Sequence, residues 1–183
     1  MPERALATVT ALRPLARARR SVSYDTDRPT KTQYQAFDRM CAHFDRRLFD
    51  GRLPKPMLTF DRGIAPPSYF RPDRWSAREG GALVSEIALN PDRLKELAER
   101  QIGELLVHEL AHLWQHAFGE KKSRAGYHNA EWSAKMEAVG VMPSATGGPG
   151  GARVGQKMSQ YAMRGGRFQA AFDRVPRSWL LPF

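Results

Sequence analysis

The chain has 183 residues, 42% of them hydrophobic and 26% charged, with a formal net charge of +10. That length suits one domain with tails rather than two domains. No run approaches the roughly 18 to 20 apolar residues of a membrane span, and the single cysteine, Cys41, excludes both an internal disulfide framework and a cysteine-based zinc site.

The charge is concentrated at the two ends. Residues 1–31 carry seven Lys/Arg against three Asp/Glu, residues 141–183 carry six against one, and residues 32–140 carry 16 against 15. The first stretch, with Arg13, Arg17, Arg19 and Arg20, reads as a flexible basic arm. Such an arm can hold a polyanion such as DNA through phosphate contacts that carry no sequence information, or simply remain a solvated terminus. Ala5 to Leu12, behind Glu3 and Arg4 and interrupted by threonines, does not make a secretion signal. A reducing cytoplasm is the expected compartment.

Along the chain, Tyr34, Phe37, Met40, Cys41, Phe44 and Leu48 recur at steps of three and four, which predicts an amphipathic helix over 32–49 with Thr32 as its N-cap. Gly51 closes it, and Pro54 and Pro56 forbid its continuation. Met57 to Phe60 reads as a strand, Ser68 to Phe70 as a second, and Ala82 to Leu89, after the Gly80-Gly81 turn, as a third. The expected sheet is small and antiparallel. Asn90-Pro91 starts a helix over 91–100, or the first turns of a longer one, because Asn caps free N–H groups and Pro fits the first helical position. A stronger helix follows, with Ile102, Leu105, Leu106, Leu110, Leu113, Trp114 and Ala117 as its apolar stripe and Gly119 as its stop. Asn129 caps a last helix, Ala130 to Val139. Residues 147–151 have the composition of a flexible linker, and the tail beyond, with Met158, Tyr161, Met163, Phe168 and Phe172, is apolar enough that part of it should dock on the domain.

The chemistry lies in His108-Glu109-Leu110-Ala111-His112. On a helix, histidines four apart stand one turn above the other on one face, so both imidazoles can reach one zinc, and the glutamate beside the first is aimed at water activated by that metal. A catalytic zinc needs a third protein ligand and an open position. His116 is one further turn along, roughly 12 Å from His108 at about 1.5 Å per residue, too far to share the ion. Gln115 and Phe118 stand where the metzincin pattern requires Gly and His. Glu131 is the carboxylate alternative. His128 is the better candidate, because the loop over 119–127 is short enough to fold the chain back across the motif.

The segment His108-Glu-Leu-Ala-His-Leu-Trp-Gln, followed by Tyr127-His128-Asn-Ala-Glu131-Trp132-Ser-Ala-Lys-Met136, resembles the SprT-like metalloprotease family over about residues 32–143. Ile87-Ala-Leu89-Asn90-Pro91 is similar to that family's passage from strand to active helix. The resemblance implies an α+β, zincin-like fold, with the sheet packed on the active-site helix. It also implies zinc held by His108, His112 and His128, Glu109 as general base, and a protein substrate; in Spartan relatives that substrate is protein crosslinked to DNA. The chain then divides into a basic arm (1–31), a zinc metallopeptidase domain (32–143), and a Gly-rich linker with basic tail (144–183). Many relatives carry a cysteine zinc ribbon. With one cysteine this chain cannot, so any contact with DNA falls to the basic tails. Glu131 and Tyr127 are candidates for assisting the site, as a partner of a ligand histidine and as an oxyanion contact, whereas Trp114 and Trp132 are expected in the core. The rival reading is a nucleic-acid-binding accessory protein whose zinc site does not turn over.

Overall fold

The computed structural model describes residues 24–124 and 126–182. The Arg13 to Arg20 cluster of the expected basic arm therefore lies outside the described residues. The order of elements is α1 (Pro29–Leu48), β1 (Met57–Phe60), β2 (Ser68–Trp75), β3 (Val84–Leu89), α2 (Pro91–Leu94), α3 (Glu99–Phe118), α4 (Ala130–Ala138), β4 (Val141–Ser144), β5 (Ser159–Ala162), α5 (Arg167–Phe172) and a closing 3-10 turn, Arg177–Trp179. The architecture is α+β, with two small sheets. Among the described residues no helix is long and apolar enough to cross a membrane.

Helix α1 starts earlier than expected. Pro29, whose fixed φ suits the first turn, opens it, and Thr32 lies inside, its hydroxyl donating to the Asp25 carbonyl instead of capping. The stripe from Phe37 to Leu48 is buried as its spacing requires, while Tyr34 stays 40% exposed and meets Phe60 edge-on at 5.2 Å. At the far end, Asp50 and Gly51 both take positive φ, and the N–H of Gly51 returns to the Asp45 carbonyl.

The three-stranded sheet has the order β1-β3-β2 and is mixed rather than antiparallel: β1 runs parallel to β3, with Met57 opposite Glu86 and Phe60 opposite Leu89. β2 pairs antiparallel with β3, Ser68 opposite Leu89, so the central strand is flanked on both sides and reads as a nearly continuous buried run. Its one buried carboxylate, Glu86, is satisfied from both neighbours, by Thr59 Oγ1 at 2.8 Å and Tyr69 OH at 3.2 Å. Pro72 has no N–H to give a ladder, and the register shifts between Arg71 and Trp75, which is consistent with β2 lying at the sheet edge.

From β3 the chain passes directly into the helices. Asn90 accepts from the Asp92 N–H, as its capping role requires, but α2 ends at Leu94, and α3 restarts at Glu99 after the Ala98 N–H has donated to Gln101 Oε1. Residues 91–100 are thus one turn of helix, a break and the start of α3. The core forms between α1, α3, α4 and β3, around Phe37, Phe44, Ile87, Leu106, Leu110, Trp132 and Met136.

The C-terminal residues belong to the same core. Phe168, Ala171 and Leu180 are buried in it, and Phe168 lies 5.7 Å from Phe44. β5 pairs antiparallel with β4, and the Gly-rich stretch lies within the connection between the two strands. Gly140, with φ 91°, lets α5 approach: a Cβ there would lie 2.7 Å from the backbone nitrogens of both Arg167 and Phe168. Of the six basic residues after 140, Arg153 pairs with Glu137, and Arg167 donates to the carbonyls of Ala138 and Arg47.

Candidate metal centre

Helix α3 carries His108 and His112 one turn apart, and the loop after Gly119 returns His128 against them at the entrance to α4. The return depends on close packing at its start. A Cβ on Gly119 would come within 2.5 Å of the Gln115 carbonyl and 2.7 Å of Glu131 Oε2. Glu131 then ties the loop down, accepting from the N–H groups of Glu120 (2.8 Å) and Lys121 (3.2 Å) and from Gln115 Nε2 (3.0 Å). Asn129 caps α4 through the Trp132 N–H and receives Gln115 Nε2 at 2.7 Å. Glu131 thus fixes the loop that presents His128.

His108 Nε2 lies 3.0 Å from His128 Nε2 and 3.2 Å from His112 Nε2. Two nitrogens bound at 2.0–2.1 Å to one tetrahedral ion stand about 3.3 Å apart, so this spacing fits a shared metal. Two of the three rings are also held by hydrogen bonds on their far side. His128 Nδ1 faces the Gly155 carbonyl at 3.1 Å, and His108 Nδ1 faces Gln160 Oε1 at 3.1 Å. Both partners accept, so both Nδ1 atoms carry the proton and both Nε2 atoms present lone pairs to each other. Two facing lone pairs repel unless a cation lies between them, so these three imidazoles could hold a metal ion. Among the described residues, these three histidines form the one group of three or more with metal-ligating geometry.

Burial sets their protonation. It lowers His108 to about 3, helped by the neighbouring His128 and opposed by Gln160; it takes His112 well below the ordinary imidazole value, and it lowers His128, against hydrogen bonds with the Gly155 and Gln156 backbone. Neutral imidazole is the form that binds a metal. The rings stand on Trp132, whose centroid is 4.4 to 5.2 Å from all three. Its Nε1 is buried with no hydrogen-bond partner, so ring packing fixes its place. Phe70 on β2 stacks against His112 at 6.1 Å.

Glu109 is 3% exposed, and burial raises it to about 7, against the donation of Ser68 Oγ–H to its Oε1 at 2.6 Å. A carboxyl poised near neutrality can both take and return a proton.

The other candidates stand apart. His116 Nε2 lies 3.2 Å from Asp73 Oδ1, and the Arg124 guanidinium covers Tyr127 at 4.9 Å. Trp114 is half-buried, with Lys135 Nζ 4.6 Å above its ring. Three partners of the centre were not foreseen from sequence: Ser68, Gly155 and Gln160. Ser68 sat in a recognisable strand, but nothing local marks a serine 41 residues from Glu109 as its partner.

The family model described as the SprT-like family matches residues 37–152. Similar curated proteins include Protein SprT of Klebsiella pneumoniae, 39% identical over 95 residues, which are 50% of this chain and 54% of that protein. Protein SprT of Escherichia fergusonii is 37% identical over 102 residues, 54% of this chain and 58% of that protein. The matched stretch therefore spans little more than half the length of these relatives. No solved structure matches.

Proposed function

Since this chain belongs to the SprT-like family, we propose that it is a zinc-dependent metallopeptidase of zincin-like architecture, with His108, His112 and His128 holding the metal and Glu109 serving as general base. The observation that carries this reading is the convergence of three imidazole nitrogens, 3.0 and 3.2 Å apart, one residue from a buried carboxylate on the same helix. When bound, zinc supplies a Lewis acid that polarises a scissile carbonyl and makes water a competent nucleophile near neutral pH. The chain supplies the rest. Glu109 takes the proton of the attacking water and delivers it to the departing amine, and the Ser68 hydroxyl orients the carboxylate for both transfers. The edge strand β2 runs from Ser68 beside Glu109 and, among the described residues, pairs on one side only, so an extended peptide can align along it by main-chain hydrogen bonds.

The substrate class we propose is protein bound or crosslinked to DNA, with the cytoplasm as the site of action. The support is the net charge of +10, carried almost entirely by residues 1–31 and 141–183. The test is cleavage of a DNA-binding protein by the zinc-loaded chain, with and without single-stranded DNA, beside Glu109→Ala. Cleavage that DNA stimulates and Glu109→Ala abolishes is the expected result. Equal cleavage by Glu109→Ala would remove the general-base assignment. Zinc uptake with salt-sensitive DNA binding and no cleavage would favour the accessory-protein reading.

A further inference from the structure

Gly155 and Gln160, which face two of the three histidines, lie beyond the stretch matched by the family model, which ends at 152. We infer that Gln160 is a positioning residue for the metal, acting through His108, and that the segment 155–160 is a built part of the centre rather than a tail beside it. The inference rests on the metal-site reading above, and not on peptidase activity.

Strand β5 lies along α3 in a defined register. Glu104, one turn before His108, accepts from the backbone N–H of Ala162, and His108 meets Gln160 at 3.1 Å. Residues four apart on a helix and two apart on a strand each share a face, so the two contacts form a single seam. Pairing with β4, Gln160 opposite Pro143 and Ala162 opposite Val141, fixes that seam from the other side. Five residues earlier the same segment makes a bridge to His128: the His128 N–H donates to the Gly155 carbonyl at 2.7 Å and the Gly155 N–H returns to the His128 carbonyl at 3.0 Å. One segment therefore supplies acceptors to both the α3 histidine and the loop histidine. An acceptor at Nδ1 leaves the lone pair on Nε2, aims it, and makes the nitrogen more basic, whereas a side chain without an acceptor frees the ring to carry its proton on either nitrogen.

The test is zinc affinity, by competition with a chromogenic chelator, in wild type, Gln160→Leu and Gln160→Glu, with thermal unfolding of each metal-free protein as a control for folding. Long-range proton–nitrogen NMR correlations of the zinc-loaded proteins report which His108 nitrogen is protonated. Expected are a loss of about 10- to 100-fold for Gln160→Leu, affinity at or above wild type for Gln160→Glu, and His108 protonated at Nδ1 in wild type and Gln160→Glu. Unchanged affinity in a folded Gln160→Leu would overturn the inference while leaving the metal site intact. Should Gln160→Leu fail to fold, weaker binding by Gln160→Glu, or His108 protonated at Nε2 in wild type, overturns it instead. A wild type that takes up no zinc removes the metal-site reading and this inference together.

Discussion

Replacing Phe168 by alanine tests whether the C-terminal residues belong to the domain's core. The side chain is fully buried, its ring lies 5.7 Å from Phe44 and 5.9 Å from Phe172, and Gly103 on α3 leaves room for both rings of α5. Truncating a buried phenylalanine costs about 3–5 kcal/mol, a large part of the roughly 5–15 kcal/mol that holds a domain together. At roughly 2–4 °C per kcal/mol for a chain of this size, calorimetry should show the midpoint falling by about 6–20 °C. Phe168→Leu leaves a smaller cavity and should lose clearly less. Zinc affinity should fall as well, because α5 follows β5 directly and loosening it loosens Gln160. A midpoint for Phe168→Ala within about 2 °C of wild type would refute the reasoning, since a ring packed on two aromatic neighbours cannot be removed at so small a cost.

Gly140→Ala should destabilise by more than about 1 kcal/mol, read from the urea midpoint, because φ is 91° there and the new Cβ would press on the Arg167 and Phe168 nitrogens. Glu131→Gln should loosen the loop before His128, seen as faster proteolysis between 119 and 127. Its pH dependence has a defined sign. Burial pushes the Glu131 carboxyl up, but hydrogen bonds from Gln115, Glu120 and Lys121 outweigh this and hold it below the ordinary value. A depressed folded-state pKa stabilises above the unfolded value, near ~4.3, and that contribution is lost as pH falls through the folded one. The difference in midpoint between wild type and Glu131→Gln should therefore narrow as pH is lowered through that range. Ser68→Ala should keep zinc and lower kcat, on the order of tenfold, with KM little changed. Zinc at about 100 times its Kd should stabilise the protein by about 2.7 kcal/mol, an effect that a chelator reverses.

The parts of this molecule governed by local rules were readable before its structure. The apolar stripe of α3 up to Trp114, the four-residue spacing of His108 and His112, and the caps at Asn90 and Asn129 each follow from short-range geometry and stand where the residues indicate, while Ala117, in the last turn, is exposed. Thr32 resembles an N-cap, which sets the expected start of α1 three residues late, but the fixed φ of Pro29 opens the helix earlier and the Thr32 hydroxyl donates to the Asp25 carbonyl from inside the first turns. Strand direction was not legible. Four residues from Met57 to Phe60 carry no mark of parallel or antiparallel partners, and the outcome depends on the path of the chain between them and β3. Gln160 was hidden for a similar reason. Its side chain meets a histidine 52 residues away, from a strand held there by pairing with β4, and neither contact leaves a local mark.

Elemental analysis of the purified chain beside His128→Ala tests most directly the claim that His108, His112 and His128 hold one zinc ion. About one zinc per chain is expected in wild type, with the content falling sharply in a folded His128→Ala. Full zinc in that variant, or none in wild type, would contradict the claim.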